Sequence, residues 1–277
     1  MTDTRRPLAV VTGGARGIGR ATCLLLVRRG YDVACVYKSD SSAEQVKDMQ
    51  KEILPIVGNG DSSVGRLHGF QCDVSDQDAV NGLFVNIYGK LGRNPKYLVN
   101  NAAGTGPTDE RDIANMNKKD LDSVFATNVY GPFFCCREFV RQRRFEAQHS
   151  AGQIEKDDNP RKKRKVMAGG AIVNVTSGLM KLKGHPLFYA MSKGALDSMM
   201  VGLSKSLPAS DGIRINSVAP GTTKTDLVSD ERAEEVKDDV PMGRAGKPEE
   251  VAEAIYFLLS DASSYCSGST LSLTGGR

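Results

Sequence analysis

Tyr189 and Lys193 stand four residues apart in the run Tyr189-Ala-Met-Ser-Lys193, twelve residues after Ser177. On a helix that spacing brings both side chains to one face, where an ammonium beside a phenol favours the ionised ring. An unperturbed tyrosine titrates near pH ~10, so a cationic neighbour is what makes it a usable proton donor near neutrality. The same spacing is common in solvated surface helices. The pair gains meaning only from what the rest of the chain assembles around it.

Near the N-terminus, Leu8-Ala-Val-Val11 runs into Thr12-Gly-Gly-Ala-Arg-Gly-Ile-Gly19 and then a helical pattern from Ala21. This order reads as a buried strand, a glycine-rich turn and a helix. Gly13, Gly17 and Gly19 remove Cβ atoms where the backbone must turn sharply and let a pyrophosphate reach the amides that open the helix. A phosphate-bearing ligand is expected there.

Together these segments resemble the short-chain dehydrogenase/reductase family. Thr12 to Gly19 matches its Thr-Gly-x-x-x-Gly-x-Gly, and Cys72-Asp73-Val74 its adenine-contacting Asp-Val. Leu98-Val-Asn-Asn-Ala-Ala-Gly104 matches the segment after the fourth strand, and Asn128 the helix asparagine. Ile172-Val-Asn-Val-Thr-Ser177 ends in the serine, followed by Tyr189-x-x-x-Lys193 and Ala219-Pro-Gly221 with Thr225. Two departures stand out. The family's Asn-Asn-Ala-Gly reads Asn100-Asn-Ala-Ala103 here, with glycine one place later, and the interval from Ser177 to Tyr189 is twelve where thirteen is commoner, which Thr176 would satisfy.

The resemblance implies hydride transfer between a nicotinamide and a carbonyl or alcohol carbon by Asn128, Ser177, Tyr189 and Lys193. Tyr189 would give a proton to the substrate oxygen, while Lys193 lowers the phenol pKa and bonds the nicotinamide ribose. Ser177 would bond the substrate oxygen and Asn128 would hold a water linking Lys193 to solvent. The cofactor would lie against Gly13, Arg16, Gly17, Ile18, Gly19, Asp73, Val74, Asn101, Ala102 and Ala103. Tyr189, Lys193, Pro220, Gly221, Thr223 and Thr225 would complete its site. The text from Val240 to Gly276 looks most like the 3-oxoacyl-carrier-protein reductase and glucose dehydrogenase branches. These commonly form tetramers, so a homotetramer or dimer is expected. In the family the segment after the Pro-Gly turn, residues 222–244, closes over the substrate; Leu227 and Val228 are its sizeable apolar residues in the first half.

The elements that must position these residues are legible as apolar runs near residues 7–12, 31–37, 67–72, 96–100, 170–176, 212–218 and 269–274, alternating with helical patterns. That alternation implies one doubly wound Rossmann-type α/β domain over residues 1–277, a seven-stranded parallel sheet with helices on both faces. Right-handed crossovers then put all the strands' C-terminal ends on one rim. Thr12, Tyr37, Asp73, Asn100, Ser177 and Pro220 all fall at or just after such ends.

The second strand bears on the cofactor. A carboxylate at its end would hold a ribose 2′-hydroxyl and repel a 2′-phosphate. Tyr37 occupies that slot, followed by Lys38 and Ser39, with Arg16 across the glycine turn. Two cations and a hydroxyl favour NADP(H); the alternative is that Asp40 reaches the ribose and NAD is used.

With 40% hydrophobic and 25% charged residues among 277, the composition is that of an ordinary globular chain. No apolar run reaches the roughly 18 residues a membrane helix needs, and residues 1–7 lack the apolar stretch of a signal peptide, so no membrane partner and a cytoplasmic location are expected. The six cysteines show no Cys-x-x-Cys and read as reduced, mostly buried residues; three scattered histidines argue against a metal site.

Residues 145–168 have no family counterpart and read as a flexible loop insertion. They hold Arg161, Lys162, Lys163, Arg164 and Lys165, and removing those five from the 37 basic residues leaves 32 against 33 acidic ones. A charge excess confined to one run argues against a nucleic-acid-binding face. The run reads as a solvated loop, a nuclear-import-like signal with a nuclear location, or a docking patch for an acidic carrier. Because it precedes the fifth strand it must lie on the rim opposite the active site of its own subunit. Two function classes result, an NADP(H)-dependent oxidoreductase and a nucleotide-sensing protein acting through the basic run. The complete Asn-Ser-Tyr-Lys set favours the first.

Overall fold

A computed structural model describes residues 6–58, 63–108, 111–151, 169–178, 186–225 and 234–277. Seven strands, β1 Leu8–Thr12, β2 Asp32–Tyr37, β3 Leu67–Gln71, β4 Tyr97–Asn100, β5 Gly170–Val175, β6 Ile213–Pro220 and β7 Thr270–Leu273, form one parallel sheet in the order β3-β2-β1-β4-β5-β6-β7. All seven fall within two residues of the apolar runs in the sequence. The strands read as continuous apolar runs because both faces are covered. Ala9, Val11, Val33, Cys35, Val99 and Val173 pack on one face with α1 Gly17–Arg28, α2 Asp40–Gly58 and α8 Pro248–Leu259. Leu8, Val10, Ala34, Leu98, Ile172 and Ile215 pack on the other with α3 Gln77–Leu91, α5 Gly131–Ala151 and α6 Leu187–Ser204; the shorter α4 Lys118–Phe125 precedes α5 and α7 Leu207–Asp211 follows α6.

The order of the strands reverses at β1, since β2 lies on one side of it and β4 on the other. Such a reversal leaves a crevice beyond the C-terminal ends of β1 and β4. Five of the six cysteines are buried and none is bridged. Burial pushes the Cys72 thiol up to about 11 and the Cys136 thiol to about 12, as expected for inert small hydrophobes.

The first residues of the stretch read as a loop belong instead to α5, which runs to Ala151. The chain re-enters at Gly169, whose N–H donates to the Asp211 carbonyl at 2.8 Å and whose carbonyl accepts from Arg143 Nε at 3.0 Å. Arg144 clamps the Asp211 carboxylate through Nε and Nη2 at 2.7 and 2.8 Å. Both ends of the insertion are thus at the N-terminal rim of β5, opposite the crevice; the basic run itself lies outside the described residues. Among the described residues no helix is long and apolar enough to cross a membrane.

Candidate active site

The glycine turn between β1 and α1 is held by β4. Thr12 Oγ1 accepts from the N–H groups of Asn101 and Ala102 at 3.0 and 3.1 Å, and Asn101 Nδ2 donates to the carbonyls of Thr12 and Gly13 at 2.9 and 3.0 Å. The Asn101 amide, expected against the cofactor, is therefore spent on shaping the turn. Three positions there require glycine. Gly13 and Gly17 sit at φ +62° and +54°, and a Cβ on Gly19 would lie 2.1 Å from the Gly13 carbonyl oxygen.

No side chain caps the start of α1 and no acidic residue stands in its first turn. The amides that open a helix lack intrahelical acceptors, so this end offers donors and positive potential to an anion. The exposed Arg16, at the N-cap position, adds its charge, and Ile18 lies in the first turn.

β2 and β3 supply the neighbouring rim. Lys38, just past β2, donates from Nζ to Asp73 Oδ2 at 2.7 Å. Asp73 Oδ1 also accepts from Ser75 N and Ser75 Oγ at 3.0 and 2.7 Å. Partial burial alone would raise the Asp73 pKa, but the Lys38 and Ser75 bonds outweigh it and hold the carboxyl below its usual range. Ser39 Oγ lies 2.9 and 3.1 Å from the hydroxyls of Ser41 and Ser42, two residues the sequence reading missed. Asp40 is engaged by Gln71 Nε2 at 3.1 Å. Tyr37 packs its ring over Gly69, where a Cβ would come within 3.2 Å of Cε1; the slot that lacks a carboxylate is filled by a packing residue.

Beyond β5 and along α6 lie the residues with chemistry. Ser177 follows β5, and its hydroxyl hydrogen-bonds the Tyr189 phenol. Thr176, the alternative, donates its hydroxyl to the Val218 carbonyl at 3.0 Å inside the sheet. Geometry therefore favours Ser177. Lys193 is 2% exposed; its Nζ donates to the Val175 carbonyl at 2.7 Å and stands 5.5 Å from the centre of the Tyr189 ring.

Burial lowers the Lys193 pKa from 10.5 to about 8. Burial also raises the Tyr189 pKa, against a smaller downward pull from Ser177. This corrects the expectation that the ammonium beside it would depress the phenol. Desolvation, which opposes charge on either group, dominates here.

Asn128 lies in a π turn, Ala126–Tyr130, where the Gly131 N–H reaches back five residues to the Ala126 carbonyl. Its side chain is fully buried and tied to Gly104 twice: Oδ1 accepts from Gly104 N and Nδ2 donates to Gly104 O, both at 2.8 Å. Nδ2 also donates to Ser192 Oγ at 2.9 Å, and Ser192 Oγ donates to the Tyr189 carbonyl at 2.7 Å. The amide expected to hold a water is thus committed to the loop after β4 and to α6. Ser192, absent from the sequence-derived set, is the link; a fully buried serine inside a helix is the signal that marks it.

After β6, Gly178 N donates to Pro220 O at 2.8 Å and Gly221 N donates to Leu273 O at 2.9 Å, which holds the Pro-Gly turn beside Ser177. Thr225 stands over Gly17, where an added Cβ would lie 3.3 Å from its Cγ2. Thr223 pairs with Gly246, and Lys224 N donates to Gly246 O at 2.8 Å. Arg244 grips Glu250 through Nη2 at 2.6 Å, and that contact with the Lys247 N–H holds the Glu250 carboxyl at about 2. Residues 226–233, with Leu227 and Val228, lie outside the described residues.

Three kinds of likeness bear on this arrangement. The short chain dehydrogenase family model matches residues 7–154, and the model described as enoyl-(acyl carrier protein) reductase matches residues 161–277. An uncharacterized oxidoreductase of Escherichia coli, YgfF, is 37% identical over 276 residues, 98% of this chain and 99% of that one. The 3-oxoacyl-[acyl-carrier-protein] reductase FabG of Thermotoga maritima is 33% identical, covering 97% of this chain and 96% of its own. A solved structure described as a blue fluorescent protein from a metagenomic library in complex with NADPH superposes with TM-score 0.78 at 29% identity over 99% of each chain.

Proposed function

The chain belongs to the short-chain dehydrogenase family of oxidoreductases, and on that premise we propose that it is an NADP(H)-dependent reductase of carbonyl groups, with 3-oxoacyl thioesters as its substrate class. The observation that carries the reading is the convergence of Ser177 and Lys193 on Tyr189 beside a glycine turn whose helix end is uncapped. The uncapped end, Arg16, Lys38 and the serine cluster after β2 suit a ligand with a pyrophosphate and a further phosphate. The similarity to the NADPH complex and to the Thermotoga reductase supports cofactor and substrate respectively.

A bound nicotinamide supplies or accepts the hydride. The chain's own residues handle the oxygen and its proton. Ser177 donates a hydrogen bond to the substrate oxygen and fixes it beside the Tyr189 hydroxyl. Tyr189 gives its proton to that oxygen as negative charge grows there. Lys193 stabilises the phenolate that is left, because its ammonium lies below the ring. Asn128 and Ser192 keep α6 and the loop after β4 in register so that these distances persist.

The test is NADPH oxidation followed at 25 °C against acetoacetyl thioesters, diketones, sugars and steroids, with Tyr189→Phe as control. Turnover of the thioester with NADPH preferred, reduced at least about a hundredfold in the variant, is expected. A clear preference for NADH, or full activity in Tyr189→Phe, overturns the reading.

A further inference from the structure

We propose that Asp73 governs the choice between the two nicotinamide dinucleotides by holding Lys38, so that a 2′-phosphate must compete with a carboxylate of the protein for the same ammonium. This rests on the NADP(H) reading above. The expectation for Asp73 was contact with the adenine ring; its position in the structure adds a second consequence.

Lys38 and Asp73 follow the ends of adjacent strands, which the Cys72 N–H joins by donating to the Tyr37 carbonyl at 2.8 Å. Lys38 Nζ meets Asp73 Oδ2 at 2.7 Å, whereas Ser75 saturates the other oxygen from N and Oγ. Three donors therefore fix the carboxylate where it faces the lysine. The Lys38 side chain is 70% exposed, so its ammonium can exchange one anion for another without leaving solvent.

A ribose 2′-hydroxyl carries no charge and does not compete for Lys38. A 2′-phosphate does compete, because it must draw the Lys38 ammonium away from the Asp73 carboxylate before it can use it. The carboxylate thus weakens binding of the phosphorylated dinucleotide selectively. Asp73→Asn removes that competition while keeping an Oδ1 acceptor for Ser75, which makes it a conservative change.

Dissociation constants of NADPH and NADH, measured by fluorescence titration on the full chain, test this in wild type, Asp73→Asn, Lys38→Met and the double variant. Loss of an adenine contact alters both dinucleotides alike and cancels in the ratio Kd(NADH)/Kd(NADPH). That ratio is expected to rise roughly two- to fivefold in Asp73→Asn, the span of an exposed ion pair, and not to rise when the same change is made on Lys38→Met. An unchanged or lower ratio in Asp73→Asn, or an equal rise without Lys38, overturns the inference. Tighter binding of NADH by the wild type overturns the cofactor reading instead, so the two failures are distinct. Matching thermal melts of Asp73→Asn and wild type confirm that the variant is folded.

Discussion

Lys193 is held at a cost that can be measured. Its ammonium is 2% exposed, faces no carboxylate within ion-pair distance among the described residues, and donates to the Val175 backbone carbonyl. The fall in its pKa from 10.5 to about 8 corresponds to roughly 3 kcal/mol of folding free energy. Between those values the unfolded chain retains a proton that the folded chain has released. Folding stability therefore rises with pH from about 8 to 10.5, and below about 8 the full penalty applies. Lys193→Met keeps most of the stem and removes the charge, but leaves the Val175 carbonyl without its donor, a loss of about 1–2 kcal/mol. At pH 7 the variant should be more stable than wild type by about 1–2 kcal/mol, and at pH 10.5 less stable by about 1 kcal/mol. Urea unfolding of both proteins at the two pH values gives the difference directly, and effects of other titrating groups cancel in it. A stability difference that is the same at pH 7 and pH 10.5 refutes the claim that buried charge at Lys193 is being tolerated for function.

Four further outcomes follow from the site. Ser177→Ala should lower kcat by roughly a hundredfold, the loss typical of one donor to a developing oxyanion. Thr176→Val should leave kcat within about twofold and cost about 1 kcal/mol of stability, because its hydroxyl serves only the Val218 carbonyl; reversed effects would make Thr176 the substrate-facing residue. Gly19→Ala places a Cβ 2.1 Å from the Gly13 oxygen and should weaken NADPH binding at least about tenfold in a fluorescence titration, with near-wild-type affinity counting against the turn as the phosphate cradle. In the reducing direction the rate should hold up to about pH 8 and fall above it as Lys193 loses its proton, whereas a rate that climbs through that range in stopped-flow measurements would exclude the protonated lysine from the working state.

The sheet was legible because strands covered on both faces are apolar without interruption, and the glycine turn because φ near +60° at Gly13 and Gly17 restricts those positions to glycine. Tyr189 and Lys193 were legible because helical spacing puts them on one face and the glycine turn, Asn128 and Ser177 complete a recognisable set around that spacing. Burial, by contrast, has no local signature. It depends on what packs over a residue from distant strands, so the sign of the Tyr189 shift could not be read from its neighbour at position 193. The π turn at Asn128 was hidden for a similar reason: one additional residue in a turn leaves the apolar pattern on either side intact. The extension of α5 to Ala151 was missed because its last two turns carry charge and amide side chains that resemble a loop. In the structure, Arg143 and Arg144, just before that extension, grip Gly169 and Asp211.

Opposite shifts at Tyr189 and Lys193 have one origin, since each group is pushed toward its neutral form. They do not respond equally at pH 7. The phenol, raised above 10, keeps its proton, and the lysine, at about 8, remains mostly protonated. The resting pair is therefore a neutral acid above a retained cation, the combination that the proposed reduction of a carbonyl requires. Taking a proton from an alcohol would first require the phenol to ionise against its own burial. The same desolvation that opposes charge at Lys193 thus keeps the Tyr189 phenol protonated, while Asn128 ties Ser192 to Gly104 and so α6 to the loop after β4.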